Sequence, residues 1–270
     1  MMNRNAVQEE RSASPASTGH VARVLNALES LATKAHTVNS LAEELGVHPR
    51  TVRRMLEPLI ELQYVGLTGK EEGQPQYRAT LKIATLAERL IRDSDLLKVS
   101  APFVAKLRNL TGEACHLSIG AREGVSHILQ EAGQSLVSVK PRAGEYVPYH
   151  ATAVGKALLA FDPRCMDYLP EHLVAYTRHT LTTMMQLQQN LAEIRRTGVS
   201  HDALENSMEL RCMAAPVCDA SGVVAAIGVS APSSRFTEDL VPMVSRLVRG
   251  VASDLSKALG GDLESMISSE

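Results

Sequence analysis

Residues 202–231 read DALENSMELRCMAAPVCDASGVVAAIGVSA, and this stretch decides the fold of the C-terminal half of the chain. A polar segment with acidic residues leads into an apolar run, which ends at the turn residues Asp219–Gly222 and is followed by a second apolar run. Two apolar runs on either side of an Asp/Ser/Gly turn predict a β-hairpin. The plainest interpretation is a buried hairpin that contributes only to the core.

The N-terminal part of the chain has the pattern of a helix-turn-helix. Apolar residues recur at helical spacing in 21–31, 38–45 and 52–60, which predicts three helices. Gly46 is a natural terminator of the second helix, and Pro49, directly after His48, suits the first position of the third. A helix, a short helix, a turn with glycine and a further helix are the elements of this DNA-binding motif.

A predicted β-hairpin follows and makes the motif a winged helix. Its strands are Tyr64–Leu67 and Gln76–Ala79, and the polar residues 68–75 form its charged tip. The next segment, 81–97, carries an apolar stripe at helical spacing. It is predicted to be a helix that links two domains.

The remainder of the chain alternates short strands with helices. Strands are predicted at 115–119, 126–130 and 136–140, and helices at 153–160 and 187–197. Ser100 is expected to cap a helix that ends near Leu110, and Thr237 a long final helix. Antiparallel strands flanked by helices, without a strict βαβ alternation, predict an α+β fold.

The composition excludes several classes of protein. The length of 270 residues favours two domains, and the net charge of −2 means that nucleic-acid binding must come from a local patch. The four cysteines form no C-x-x-C pair and nothing suggests export, so we predict no disulfide framework. No ligand spacing requires a metal site, and we predict neither a metal nor a cofactor. No apolar run approaches the roughly 20 residues of a membrane span. Residues 1–18 lack the apolar core of a signal peptide and are predicted to be the disordered tail of a cytoplasmic protein.

Three segments resemble the IclR family of bacterial transcriptional regulators. They are LAEELGVHPRTVRRMLEPL at 41–59, ATAVGKALLA at 151–160 and the hairpin segment at 202–231. The resemblance implies a winged helix-turn-helix DNA-binding domain at 19–80, a linker helix at 81–97 and a GAF-like effector-binding domain with an antiparallel sheet at 98–265. Family members assemble as dimers or dimers of dimers and control catabolic operons, as repressors or activators, in response to small molecules.

The third predicted helix begins with three arginines and no acid. Because successive helical residues are about 100° apart, these arginines lie on the outer side, where arginine reads guanine or pairs with phosphate. The alternative is a solvated basic helix face. The predicted DNA-binding residues are His48, Arg50, Thr51, Arg53, Arg54 and, at the wing tip, Lys70. Two residues depart from the family pattern: Pro58 lies inside the helix, and Gln63 stands where a glycine is usual.

The pair Gly155-Lys156 is not a phosphate loop, because the upstream glycine is missing and Ala157 replaces the Ser/Thr. It is predicted to lie at the N-terminus of a helix that starts near Thr152, whose N–H groups attract a carboxylate. With the family resemblance, the predicted effector-binding residues are Gly155, Lys156, Asp202, Leu210, Cys212, Gly228 and Ser230. Some family members carry serine at the position of Gly228. The histidines at 116 and 127 are weaker candidates, because a lone histidine on a strand is more often a core or surface residue.

The rival interpretation is an enzyme that uses Cys212 as its nucleophile, with Asp202 and a histidine nearby. A catalytic cysteine needs an activated thiolate and a paired base, whereas Cys212 begins an apolar strand. We therefore predict no catalytic residue. The predicted partners are double-stranded DNA with a palindromic operator, a small-molecule effector that is a carboxylate, and further copies of the chain in a homodimer or homotetramer. The predicted dimer surface is the stripe Leu81, Leu86, Leu90 and Ile91.

Overall fold

A computed structural model describes residues 19–135 and 145–267. The predicted tail 1–18 and the predicted strand 136–140 lie outside these residues. The chain divides into two compact units between Asp93 and Ser94. Among the described residues, no helix is both long and apolar enough to cross a membrane.

The N-terminal unit is a winged helix-turn-helix. Its elements in chain order are α1 (His20–Thr33), β1 (His36–Thr37), α2 (Val38–Leu45), α3 (Pro49–Glu61), β2 (Val65–Glu71), β3 (Gln74–Ala79) and α4 (Lys82–Asp93). The three strands form an antiparallel sheet in the order β1-β3-β2.

Local sequence signals set the turn of this motif. Thr37 and Ser40 form a reciprocal capping box that starts α2, and Gly46 ends the helix in the left-handed conformation at φ 62°. Pro49 occupies the first turn of α3 directly after His48. The three predicted helices are thus confirmed, and their apolar faces meet around Leu31, Leu41 and Met55.

The wing differs from its prediction. Its strands extend through residues that were expected to form the tip, so that only Glu72 and Gly73 separate β2 from β3. Both have positive φ angles, 48° and 79°, which gives the tight turn that joins the strands. The strand β1 was not predicted, because two residues carry no periodicity.

The C-terminal unit is built on a six-stranded sheet. Its elements are α5 (Asp95–Thr111), β4 (Ala114–Ala121), β5 (Gly124–Glu131), β6 (Tyr146–Val147), α6 (Ala153–Phe161), α7 (Met184–Thr197), β7 (Ser200–Ala203), β8 (Leu210–Asp219), β9 (Gly222–Pro232), α8 (Val241–Ala258) and α9 (Leu263–Ile267). All neighbouring strands are antiparallel, in the order β6-β5-β4-β9-β8-β7. The predicted hairpin is the pair β8–β9, and β9 is one of the two central strands of this sheet.

Helices cover both faces of the central strands. Residues 213–218 of β8 are buried without alternation, which requires a layer on each side. The helix α6 lies on the face that carries Gly228, since Val154 packs at that glycine. The helices α5 and α8 pack on each other and on β8 and β9 from the other side. Helices and an antiparallel sheet in this arrangement confirm the α+β prediction.

Two predicted helix caps are wrong. Ser94, not Ser100, caps α5 through the N–H of Leu97, and Ser100 and Pro102 lie inside the helix. Thr237 makes no side-chain capping bond, because a short 3₁₀ helix at Glu238–Leu240 separates it from α8. A serine near a proline is a weak start signal when the preceding apolar residues already have helical spacing.

Candidate functional sites

The helix α3 separates an apolar face from a basic one. Its buried residues, which pack in the core of the N-terminal unit, are Val52, Met55, Leu56 and Leu59. Its exposed residues include Arg50, Arg53 and Arg54, and Thr51 is half-buried between them. Within residues 19–135 and 145–267 no acidic side chain pairs with these arginines, whose guanidinium groups therefore remain available for an external anion.

His48 serves the helix as its cap. Its Nδ1 accepts a hydrogen bond from the N–H of Arg50 at 3.1 Å, and the ring remains exposed. This bond orients the ring at the N-terminus of α3, where the helix dipole favours an anion.

The wing places opposite charges close together. Lys70 is exposed on β2 opposite Pro75, and Glu71 and Glu72 follow it at the turn. Two carboxylates beside the lysine weaken its attraction for a phosphate backbone, so α3 carries the stronger basic surface.

The two departures from the family pattern have different local consequences. Pro58 does not end α3, which continues to Glu61. Gln63 takes the left-handed conformation at φ 61°, a conformation that glycine adopts without steric cost. The carbonyl of Gln63 accepts a hydrogen bond from Thr80 Oγ1 at 2.6 Å, which joins both ends of the wing.

In the C-terminal unit, the strand register brings predicted effector residues into one row. Asp202 on β7 lies opposite Cys212 on β8, which lies opposite Ser230 on β9. Residues that lie directly opposite one another project from the same face of a sheet. Ser230 Oγ donates a hydrogen bond to Cys212 Sγ at 3.1 Å, which links two members of the row.

Leu210 and Gly228 lie on the same face as this row, because each is two residues from one of its members. The α6 helix covers this face: a Cβ atom on Gly228 would lie 3.2 Å from Val154 Cγ1. The structure therefore brings the five predicted sheet residues to one face, opposite the helix that carries Gly155 and Lys156.

Asp202 is a buried acid whose pKa is raised above the usual value for aspartate. Only 1% of it is exposed, and its Oδ1 accepts hydrogen bonds from the N–H of Glu205 at 2.7 Å and of Asn206 at 3.3 Å. Burial raises the pKa of Asp202 to about 7, although these two bonds act in the opposite direction. The carboxyl group is thus partly protonated at neutral pH.

Cys212 remains a thiol. Burial and the adjacent charge of Asp202 raise the pKa of Cys212, against the weaker effect of the Ser230 hydrogen bond. A protonated sulfur is a poor nucleophile and a good apolar contact.

The backbone N–H groups available at the N-terminus of α6 are not the one at Gly155 that the sequence indicated. The N–H of Gly155 donates to Thr152 Oγ1 at 3.2 Å, so it is occupied by the cap. A Cβ on Gly155 would lie 2.3 Å from the carbonyl oxygen of Tyr149, so glycine is needed for close packing. The donors left in the first turn belong to Ala153 and Val154, for which no acceptor occurs in the described part of the chain. Sequence reasoning missed both, although Thr152 as a cap would have pointed to them.

Lys156 projects into the protein. Its side chain is fully buried, and Nζ lies 2.5 Å from Glu205 Oε1 and 2.9 Å from the carbonyl oxygen of His201. The second carboxylate oxygen of Glu205 is buried and has no hydrogen-bond partner among the described residues. Lys156 thus anchors the segment after β7, next to Asp202.

Comparison with known proteins identifies relatives of both units. The family model for the C-terminal domain of the bacterial transcriptional regulator IclR matches residues 88–257. The HTH-type transcriptional regulator KdgR of Escherichia coli K12 is 29% identical over 251 residues, which cover 91% of this chain and 94% of that protein.

Solved structures share the fold. A protein from a Silicibacter species that is assigned to the IclR transcriptional regulators superposes with a TM-score of 0.79 at 26% identity, covering 90% of this chain and 97% of that one. An IclR homologue from Microbacterium hydrocarbonoxydans, crystallised with 4-hydroxybenzoate, superposes with a TM-score of 0.72 at 20% identity, covering 89% and 99% of the two chains. At that identity the second comparison shows the fold alone.

Proposed function

This chain belongs to the IclR family of bacterial transcriptional regulators, and from that premise we propose that it binds the operator of a catabolic operon under the control of a small carboxylate. Because its target is chromosomal DNA, the same proposal puts the protein in the bacterial cytoplasm. Its relatives are regulators, and we infer no catalytic activity.

One observation carries the DNA-binding part. The helix α3 buries its apolar face and exposes Arg50, Arg53 and Arg54, with no acidic partner among the described residues. In a helix-turn-helix this helix enters the major groove, where arginine reads guanine edges or pairs with phosphate. We assign to DNA contact the set His48, Arg50, Thr51, Arg53, Arg54 and Lys70, with Lys70 the weakest member because of its acidic neighbours.

The effector site lies between α6 and the sheet. The N–H groups of Ala153 and Val154, which have no acceptor among the described residues, suit a carboxylate, and Ser230 and Cys212 lie on the opposing face with Leu210. The Microbacterium homologue binds 4-hydroxybenzoate, which makes aromatic and aliphatic hydroxy acids the first compounds to test. In this proposal Gly155 and Gly228 provide close packing, and Lys156 acts through Glu205.

The proposed assembly of several copies of the chain is based on the exposed helix α4. None of its residues is buried, and Leu90 is 69% and Ile91 50% exposed. An apolar stripe on an exposed helix is buried when a second copy packs against it. We propose a homodimer, or a tetramer of two such dimers, that reads a palindromic operator.

The enzyme alternative is weaker on chemical grounds. A cysteine nucleophile requires a thiolate, and both burial and the charge of Asp202 keep Cys212 protonated. Turnover of a bound acid by the purified protein would favour the enzyme.

The test begins with selection of bound duplexes from a random-sequence library by the full chain. We expect two half-sites related by a two-fold axis, about 10 base pairs or a multiple apart. Fluorescence anisotropy then measures affinity for the selected duplex with benzoate, 4-hydroxybenzoate, propionate, lactate or pyruvate. At least one acid is expected to change the affinity by about 5–150-fold. No enrichment of any sequence, or identical affinity with every acid, would contradict the proposal.

A further inference from the structure

His116 lies beside Gly228 on the face of the sheet that α6 covers. The two residues are directly opposite each other on β4 and β9, so they project from the same side. This side also carries Ser230 and Cys212. Only 7% of His116 is exposed, which makes it a buried polar group next to the effector site.

The imidazole occupies the space that a side chain at position 228 would need. A Cβ atom on Gly228 would lie 3.0 Å from His116 Nε2, and 2.9 Å from the carbonyl oxygen of Met213. Contacts this close exclude a serine at 228 unless the neighbours shift. The ring nitrogen of His116 therefore lies next to position 228, in space that a side chain there would need.

Within residues 19–135 and 145–267, the ring nitrogens of His116 have no hydrogen-bond partner. The ring contacts that of His127, with centroids 4.4 Å apart, and His127 is held by Ser118 Oγ, 2.7 Å from its Nδ1. Neither nitrogen is among the fully buried polar atoms that lack a partner, so the ring keeps contact with accessible space. A ring nitrogen that no protein group occupies can hydrogen-bond a molecule that enters this space.

The protonation state of His116 determines which chemical group of a bound molecule its ring can hydrogen-bond. Burial, followed by the proximity of His127, holds the pKa of His116 well below its usual range. A neutral imidazole has one N–H donor and one acceptor nitrogen. It thus suits a hydroxyl or carbonyl group, while the N–H groups at the start of α6 suit the carboxylate.

We propose that His116 is a specificity-determining residue of the effector site, which binds an uncharged hydroxyl or carbonyl group of the effector in place of a side chain at position 228. This inference rests on the proposed function. It divides the site into a carboxylate end at Ala153 and Val154 and an uncharged polar end at His116.

The test uses matched acids that differ in one polar group. Binding of benzoate and 4-hydroxybenzoate, and of propionate, lactate and pyruvate, is measured by calorimetry on the full chain. The variants are His116→Leu, which removes the nitrogen atoms, and His116→Gln, which keeps a polar group near the position of Nε2. Thermal unfolding followed by circular dichroism serves as the control for folding of each variant.

For at least one pair, the wild-type chain is expected to prefer the hydroxy or oxo acid by about tenfold, the upper range for one hydrogen bond. His116→Leu should lose this preference and keep its affinity for the plain acid, and His116→Gln should restore part of it. An equal preference in His116→Leu would overturn the inference and leave the proposed regulator intact. Binding of no acid by the wild-type chain, with normal DNA affinity, would overturn the inference and the carboxylate effector together.

Discussion

Lys156 and Glu205 form an ion pair inside the C-terminal unit, with 2.5 Å between Nζ and Oε1 and with 0% and 8% of the two side chains exposed. The pair joins α6 to the segment after β7, whose backbone N–H groups bind Asp202. It therefore links the two walls of the proposed effector site.

Removal of one member of this ion pair leaves the other as a buried charge with no opposite charge beside it. We expect Lys156→Met to lower the free energy of unfolding by about 3–5 kcal/mol, measured by urea denaturation. The double variant Lys156→Met/Glu205→Leu should lose less than the single variant, because neither charge remains. Lys106→Met is the matched control, since the Lys106–Asp254 pair is 48% and 53% exposed and is worth only about 0–1 kcal/mol. Equal losses at the two lysines would contradict this account.

Asp202 makes stability depend on pH in an unusual direction for a carboxylate. Its native pKa of about 7 lies above the usual value of 3.8, so the native state retains a proton that the unfolded state releases between these values. The stabilisation is complete below pH 4 and is lost as the pH rises through 7. Between pH 5 and 7, wild type should lose roughly 1 kcal/mol of stability per pH unit relative to Asp202→Asn. Parallel stability curves for the two proteins would contradict the raised pKa.

Two glycine substitutions should have opposite effects. Gly155→Ala places a methyl group 2.3 Å from the Tyr149 carbonyl oxygen and is expected to destabilise the protein by roughly 1–3 kcal/mol. Gly250→Ala, on α8, meets no atom within 4 Å and should stabilise it by about 1 kcal/mol through helix propensity. Thermal unfolding followed by circular dichroism compares the two. A stabilising Gly155→Ala would show that α6 has room to move away from Tyr149.

The backbone conformation at position 63 should suit glycine better than the glutamine that occupies it. Its φ of 61° costs a residue with a side chain about 1 kcal/mol or slightly more, and Gln63→Gly should recover roughly that amount. Gln63→Ala retains the Cβ atom and is expected to match wild type. If Gln63→Ala stabilised the N-terminal unit as much as Gln63→Gly, the backbone conformation would not be the cause.

Sequence reasoning located the elements that have strong periodicity. The helix α3 and the hairpin β8–β9 follow directly from apolar spacing and turn residues. It missed β7, since Ser200–Ala203 is a short, mostly polar strand whose burial comes from neighbours distant in sequence. For the same reason, the sequence did not reveal that Asp202 lies on a strand.

The site was predictable in outline and not in its contacts. Motif resemblance named Cys212 and Ser230, and the strand register brings them together with Asp202. The histidine at 116 could not be paired with Gly228 from the sequence, because 112 positions separate the two and only the register of β4 and β9 places them side by side. Likewise, the buried course of Lys156 depends on Glu205 from another element.

The central claim is that α3 reads DNA, and the operator affinity of Arg50→Ala/Arg53→Ala tests it most directly. Replacing an arginine that contacts a base is expected to cost about 1–3 kcal/mol of operator-binding free energy. Replacing one that contacts only phosphate should lower the slope of log affinity against log salt concentration by about one. The control is Arg246→Ala, an exposed arginine of the C-terminal unit, which should bind like wild type. The account predicts that the double variant loses specific binding while its unfolding transition is unchanged. Wild-type operator affinity in the folded double variant would contradict it.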